Sequence, residues 1–219
     1  MIDNIRVVVL GTGQMGSGIA RLLLKKQGIE LVGAYARRAE RNGVDLGQLI
    51  GLDKALGISV SNDLDAILAA VDDKTRLIFI ANPNNPTGTI LTASAVEAFM
   101  AQVPDHVLVV FDEAYYEFSG ITALPLLGEY PNLFVSRTFS KVYGMAAMRL
   151  GCLFSQRRNI EFLHKCQSPY SVNALAALAA EAAVEDSDYV KEYIKEVVAA
   201  RDMLYEGFQS RGIRHYQSQ

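Results

Sequence analysis

Val7–Leu10, Leu77–Ala81 and Val107–Phe111 are short runs of apolar residues, and each breaks off abruptly into glycines, prolines or polar side chains. Runs this short do not make stable helices, and without polar alternation they must be buried on both faces. Between them lie stretches whose apolar residues recur at helical spacing, such as Met15, Ile19, Leu22 and Leu23. Strands buried on both faces and alternating with helices specify an α/β fold, a mainly parallel sheet with helices on both faces.

Along the chain this predicts a strand over Ile5–Leu10, a helix from Gln14 to Lys26 stopped by Gly28, and a second strand over Leu31–Tyr35. A short third strand ends near Val60, and a helix follows over Asp63–Val71, capped by Ser61 or Asn62. The later strands are Leu77–Ala81, Val107–Phe111, Asn132–Arg137 and Leu150–Ser155, with a helix over Thr92–Gln102. The remainder reads as helical, over Arg157–Gln167, Ser171–Val184 and Asp188–Ser210, with Ile213–Tyr216 able to begin a strand.

Half of the 219 residues are hydrophobic, enough for a real core and too many for a disordered chain. Lys and Arg number 21 against 24 Asp and Glu, a net charge of −3, which argues against nucleic acid or an anionic membrane as the main partner. The longest greasy stretch, Ala174–Val184, is broken by Glu181 and falls short of the ~20 residues that span a bilayer. Asp3 stands where a signal peptide would be basic, so a cytoplasmic protein is expected. Cys152 and Cys166 show no zinc-ligand spacing and read as buried small hydrophobes; His106, His164 and His215 are scattered and read as structural. No metal site is expected.

Polar groups at the C-terminal ends of parallel strands converge on one edge of such a sheet, where ligands usually sit. Here those ends deliver Asn82-Pro-Asn-Asn-Pro-Thr-Gly88, Asp112-Glu-Ala-Tyr115 and Ser136-Arg-Thr-Phe-Ser-Lys141, with Arg149 just beyond. An amine, a carboxylate, a phenol, hydroxyls and a guanidinium are a poor set for a hydrolase. They suit pyridoxal phosphate, which needs a lysine for an imine, an acid at its ring nitrogen, donors at its phenolate oxygen and a cation at its phosphate. Singly, each motif is an ordinary turn, helix start or surface lysine; the ordered set is what carries information.

That ordered series resembles fold-type-I aminotransferases, most of all the histidinol-phosphate aminotransferase group, from about Asp63 to the C-terminus. The resemblance implies that Lys141 carries the imine link to the cofactor and that Asp112 pairs with the pyridinium nitrogen. It implies further that Asn85 and Tyr115 hydrogen-bond the ring's O3′ and that Thr138, Ser140 and Arg149 hold the phosphate. The activity implied is amino transfer between L-histidinol phosphate and 2-oxoglutarate, small-molecule substrates both. Family members are dimers with sites at the subunit interface, so a homodimer is one expectation.

Gly11-Thr-Gly13-Gln-Met-Gly16, after a strand and before a helix, is the dinucleotide-binding fingerprint in its required context. Residues 1 to about 70 resemble the Rossmann region of dihydrodipicolinate reductase and 2,4-diaminopentanoate dehydrogenase. The ribose-binding acid expected after the second strand is replaced by Ala36-Arg37-Arg38, so NADP is the nucleotide this resemblance implies, on Gly11, Gly13, Gly16, Arg37 and Arg38. The two resemblances do not belong to one enzyme. The aminotransferase part lacks the family's substrate gate, its Gly/Ser phosphate loop, its ring-stacking aromatic and the arginine for the substrate carboxylate; the reductase part lacks a substrate domain. The chain therefore reads as a fusion with its crossover near Ser61–Ala70: a Rossmann-like segment over 1–62, part of an aminotransferase large domain over 63–167, and a helical segment over 168–219 leading to a truncated small domain. Cofactor binding is expected to be weak and turnover impaired. The competing readings are an NADP-binding reductase fragment and a fused fragment with no activity. The first strands are expected to extend the later ones as a single sheet, since an unpaired apolar edge invites aggregation.

Overall fold

A computed structural model describes residues 4–36, 39–63, 68–69 and 71–218. The strands are β1 (Ile5–Leu10), β2 (Ile29–Tyr35), β3 (Val60–Ser61), β4 (Thr75–Ala81), β5 (Leu108–Asp112), β6 (Leu133–Thr138) and β7 (Gly151–Phe154). They form one sheet in the order β3-β2-β1-β4-β5-β6-β7. Every pairing is parallel except β6 with β7. β1 lies directly against β4, with Val7 opposite Leu77 and Leu10 opposite Ile80, so the first strands do extend the later ones as a single sheet.

The alternation of side chains along β1 builds two cores, one on each face. Val8 points to one face, joining Ile78 and Ile80 of β4, Val109 and Phe111 of β5, and Val96, Phe99 and Met100 of the helix α3 (Ala93–Met100). Val7 and Val9 point to the other, joining Ala20 and Leu23 of α1 (Gln14–Leu23), Leu31 and Ala34 of β2, and Leu46 of the short helix α2 (Leu46–Leu49). Phe99 and Phe111 meet edge to face, 6.4 Å apart at 88°, the arrangement ring quadrupoles favour. Both helix starts are capped as their sequences require: Thr92 accepts from the Ala95 N–H at 3.2 Å, and Asp45 accepts from Gly47 N at 2.8 Å.

Asp45 also takes the Leu56 and Gly57 N–H groups at 3.0 and 2.8 Å, tying α2 to the returning loop. These donors, the Leu56 bond first, hold its carboxyl below the usual aspartate range. Because the folded value is depressed, the stability Asp45 contributes is present above pH 3.8 and disappears as pH falls through the folded value. Asp45→Ala is expected to lower the melting temperature at pH 7, with the difference from the parent closing towards pH 3; a pH series of thermal melts checks it.

After β5 come a short turn of helix, α4 (Tyr116–Ser119), and a 3-10 segment at Leu124–Gly128. Three helices, α5 (Arg157–His164), α6 (Ala174–Glu185) and α7 (Ser187–Ser210), complete the chain. Several expectations are corrected. The helix expected from Ser171 begins at Ala174, because the Asn173 side chain accepts the Ala176 N–H at 2.8 Å and caps it there. Ile213–Tyr216 forms no strand; the chain turns back along α7, and the Ser218 N–H donates to the Tyr205 hydroxyl at 2.7 Å. Cys152 and Cys166 are both exposed rather than buried. Cys152 lies on β7, an edge strand with a single neighbour whose four residues are all exposed, and Cys166 follows the C-terminal end of α5. The expected helix at Asp63–Val71 lies mostly outside the described residues, as does the middle of the supposed crossover; Leu68 and Ala69 are helical. Among the described residues no helix is long and apolar enough to cross a membrane.

Candidate functional site

Register alone brings the site together. Ala81 stands opposite Asp112, and Asp112 opposite Ser136, so three loops leave β4, β5 and β6 at one level of the sheet. The first is the Asn82–Gly88 loop. Asn82 is buried and staples its base, accepting the Leu91 N–H at 2.8 Å and donating to the Leu91 carbonyl at 3.3 Å. Asn84 closes its tip, with its backbone N–H on the Thr89 carbonyl and its Nδ2 on the Thr87 hydroxyl at 2.6 Å.

Asn85 then reaches the second loop: its Nδ2 donates to the Tyr115 hydroxyl oxygen at 2.6 Å. With that oxygen accepting, the phenol's own proton is free to point at a third group, as is the second amide proton of Asn85. Two aligned donors of this kind fit an anionic ring oxygen. Lys141 comes from the third loop, its Nζ 5.2 Å from the centre of the Tyr115 ring. Asp112, at the end of β5, accepts the Ser136 hydroxyl at 3.3 Å. Burial pushes its carboxyl above the ordinary aspartate range, partly opposed by the Ser136 bond, the Ala114 N–H and the nearby Lys141 charge. A half-buried carboxyl of this kind favours a cationic partner, whose charge would lower it again.

Thr138 and Ser140 shape the turn before the lysine, the Ser140 N–H donating to Thr138 Oγ1 at 3.1 Å. Arg149 sits at the far end of the same connection in the left-handed region (φ 55°). It is exposed, and its Nη1 donates to the Ala146 carbonyl at 2.9 Å. The structure thus ties Asn85 to Tyr115 and places Asp112 and Lys141 beside them. Arg149 remains on its own turn, swung away to the solvent. Beside Asn85 and Tyr115 opens a cleft of about 440 Å³, bounded by Pro86, Phe118 and the Val197 and Arg201 side chains of α7. That volume falls in the ordinary range for small-molecule sites, but neither Asp112 nor Lys141 lines it.

The sequence reading passed over Ser136 and a network one residue further along. Glu113 is buried, and Arg137 on β6 meets it with Nε at 3.2 Å and Nη2 at 3.1 Å. The Thr122 hydroxyl and Ala123 N–H also donate to Glu113, at 2.7 and 2.6 Å, while the guanidinium lies 3.4 Å above the Tyr116 ring. Strand alternation carried the signal: once Asp112 pairs with Ser136, Glu113 and Arg137 share the opposite face.

The glycine turn is not open as expected. A Cβ on Gly13 would stand 1.4 Å from the Asn85 carbonyl oxygen, and one on Gly11 would stand 2.7 Å from Asn84 Oδ1. The Asn82–Gly88 loop therefore lies on the surface a pyrophosphate would occupy. The gap remaining between them, lined by Gly11, Thr12, Arg41, Asn84 and Thr87, is about 40 Å³, room for a few waters at most. Gly16 packs differently, against the Gly11 carbonyl of its own turn. Arg37 and Arg38, expected at a 2′-phosphate, lie outside the described residues.

The model of the family described as aminotransferase class I and II matches residues 47–219. The chain belongs to that family. A second model, described as the N-terminus of dihydrodipicolinate reductase, matches residues 5–85, overlapping the aminotransferase match through the supposed crossover. Histidinol-phosphate aminotransferase 2 of Pseudomonas fluorescens is 48% identical over 157 residues, 70% of this chain and 42% of that protein. Histidinol-phosphate aminotransferase 1 of Mannheimia succiniciproducens is 47% identical over 135 residues, 60% of this chain and 37% of that protein. Among solved structures, the histidinol-phosphate aminotransferase of Sinorhizobium meliloti, in complex with pyridoxal-5′-phosphate, superposes with a TM-score of 0.78 at 27% identity, covering 100% of this chain and 54% of that one. The chain spans about two-fifths of the length of the curated relatives it matches.

Proposed function

We propose that this aminotransferase-family chain binds pyridoxal phosphate at the β4–β5–β6 edge and belongs to the histidinol-phosphate type, acting in the cytoplasm on an amino-alcohol phosphate and 2-oxoglutarate. The observation that carries the reading is the Asn85–Tyr115 bond of 2.6 Å set beside a half-buried Asp112 and an exposed Lys141. The donor set fits the group: two free protons for the ring oxygen, a carboxyl that wants a cation, and an amine for the carbonyl. When bound, the cofactor supplies an electron-accepting ring.

The chain's own groups do the rest. Asp112 holds a proton on the ring nitrogen. Asn85 and Tyr115 fix the ring's rotation. Lys141, exposed and carried on a turn, is placed to take a proton from a substrate carbon and return it. Thr138, Ser140 and Arg149 are proposed for the phosphate, which requires the Arg149 side chain to leave the Ala146 carbonyl. Within this reading the chain divides, as the sequence suggests, into 1–62, 63–167 and 168–219, with oligomerisation as a homodimer part of the same proposal.

Titration with pyridoxal phosphate tests this. The unmutated chain is expected to develop the absorbance band of a lysine imine, and Lys141→Ala to lose it entirely while keeping its melting temperature. An unmutated chain without the band, or a Lys141→Ala chain that retains it, sinks the reading.

A further inference from the structure

The proposed function gives the glycine fingerprint no role, yet each glycine in it is tightly constrained. Gly13 has φ −74° and ψ −165°, values any residue adopts, so the backbone does not demand glycine there. Space does. A Cβ at this position would meet the Asn85 carbonyl oxygen at 1.4 Å, its carbonyl carbon at 2.4 Å and Pro86 Cδ at 2.6 Å. Two of these are backbone atoms of the very residue whose side chain donates to Tyr115.

The turn beneath is firmly held. Thr12 is buried; Arg41 Nη1 donates to its carbonyl at 2.8 Å and to its hydroxyl at 3.0 Å, and the Ser17 hydroxyl donates to the same carbonyl at 3.1 Å. The loop above is equally closed, by the Asn84–Thr89 and Gly88–Asn84 backbone bonds. Neither partner can absorb a new methyl by a rotamer change.

The structure assigns the Gly11–Gly16 turn to cofactor positioning: Gly13 is the seat of the Asn85 carbonyl and thereby sets the Asn85 amide that orients Tyr115. This rests on the pyridoxal-phosphate reading of the site. A methyl on Gly13 forces the loop back by roughly 2 Å to reach an ordinary contact distance, and the Asn85–Tyr115 bond does not survive such a move. Gly13 is a positioning residue, acting only through Asn85.

The test is a double-mutant cycle read by pyridoxal phosphate titration. Gly13→Ala and Asn85→Ala are each expected to weaken cofactor binding about tenfold, the equivalent of one hydrogen bond to a charged group. Both should displace the pH midpoint of the imine absorbance in the same direction. The double variant should bind no more weakly than Asn85→Ala alone. Gly18→Ala, where a Cβ meets nothing within 4 Å, should match the parent. Losses that multiply in the double variant, or a Gly13→Ala chain with the parent's affinity and pH profile, overturn the assignment. So does saturable NADPH binding by the parent that Gly13→Ala abolishes. If Gly13→Ala shows no cooperative melt, the Thr12 and Gly13 amide resonances of the unmutated chain decide: pyridoxal phosphate should shift them and NADPH should not, and the reverse pattern refutes the role. An unmutated chain with no imine band sinks the functional reading itself, whereas a band indifferent to Gly13→Ala sinks only the positioning role.

Discussion

Glu113→Ala is expected to lower stability by about 3–5 kcal/mol, a fall in melting temperature of roughly 6–20 °C for a chain of this size. Glu113 is 1% exposed and its partner Arg137 18%. Removing the carboxylate takes the acceptor from the buried Ala123 N–H and from the Thr122 hydroxyl, and leaves the Arg137 guanidinium with the Thr122 oxygen but without its counter-ion. The loss is largely the cost of the charge left behind, so Glu113→Ala combined with Arg137→Met should cost less than the two single changes summed. Glu161→Ala breaks a pair of similar length, Arg157 to Glu161 at 2.8 Å, but both side chains there are more than half exposed; its melting temperature should match the parent's. Thermal melts of the four variants check this, and a Glu113→Ala chain melting with the parent would mean that the network does not hold β5 to β6.

The network and the candidate site lie on opposite faces of the same strand pair. Glu113 and Arg137 alternate with Asp112 and Ser136 along β5 and β6, and the Glu113 N–H bonds to the Ser136 carbonyl at 2.9 Å. One face of this short ladder is clamped and the other offers the carboxylate. Lys141 and Arg149, beyond the ladder, are exposed.

How much of this was legible in the sequence depends on the range of the interaction. The strands were readable because Val7–Val9, Ile78, Ile80, Val109 and Phe111 must be buried whatever their partners. The convergence of Asn85, Asp112, Tyr115 and Lys141 followed from strand ends in a parallel sheet and needed no coordinates. The extent of β7's cover was not readable: Leu153 and Phe154 look like core residues and stand 43% and 37% exposed, because what packs on an edge strand is decided by distant chain. What lies over the glycine turn was not readable for a related reason. A turn with room above it signals a ligand, but a loop of the same chain can fill that room, and only the Asn85–Gly13 approach distinguishes the two.

Asp112→Asn is expected to move stability and cofactor binding in opposite directions. In the folded chain burial raises the Asp112 carboxyl above its usual value of 3.8, outweighing the Ser136 and Ala114 bonds and the Lys141 charge. With the folded value above the unfolded one, the group favours folding fully below pH 3.8 and loses that contribution as pH rises through the folded value. Above pH 3.8 the Asp112 carboxyl is therefore a net liability in the cofactor-free protein. Asparagine keeps the acceptor for Ser136 and cannot ionise. The cofactor-free variant should gain about 1 kcal/mol, roughly 2–4 °C in melting temperature, with the gain vanishing in melts run below pH 3.8. Pyridoxal phosphate binding should weaken about tenfold to a hundredfold, since an amide cannot hold a ring proton by charge. A structural aspartate would lose stability and leave affinity untouched. A variant that melts earlier at pH 7, or binds the cofactor as the parent does, would show that burial of Asp112 serves the fold and has no part in the site.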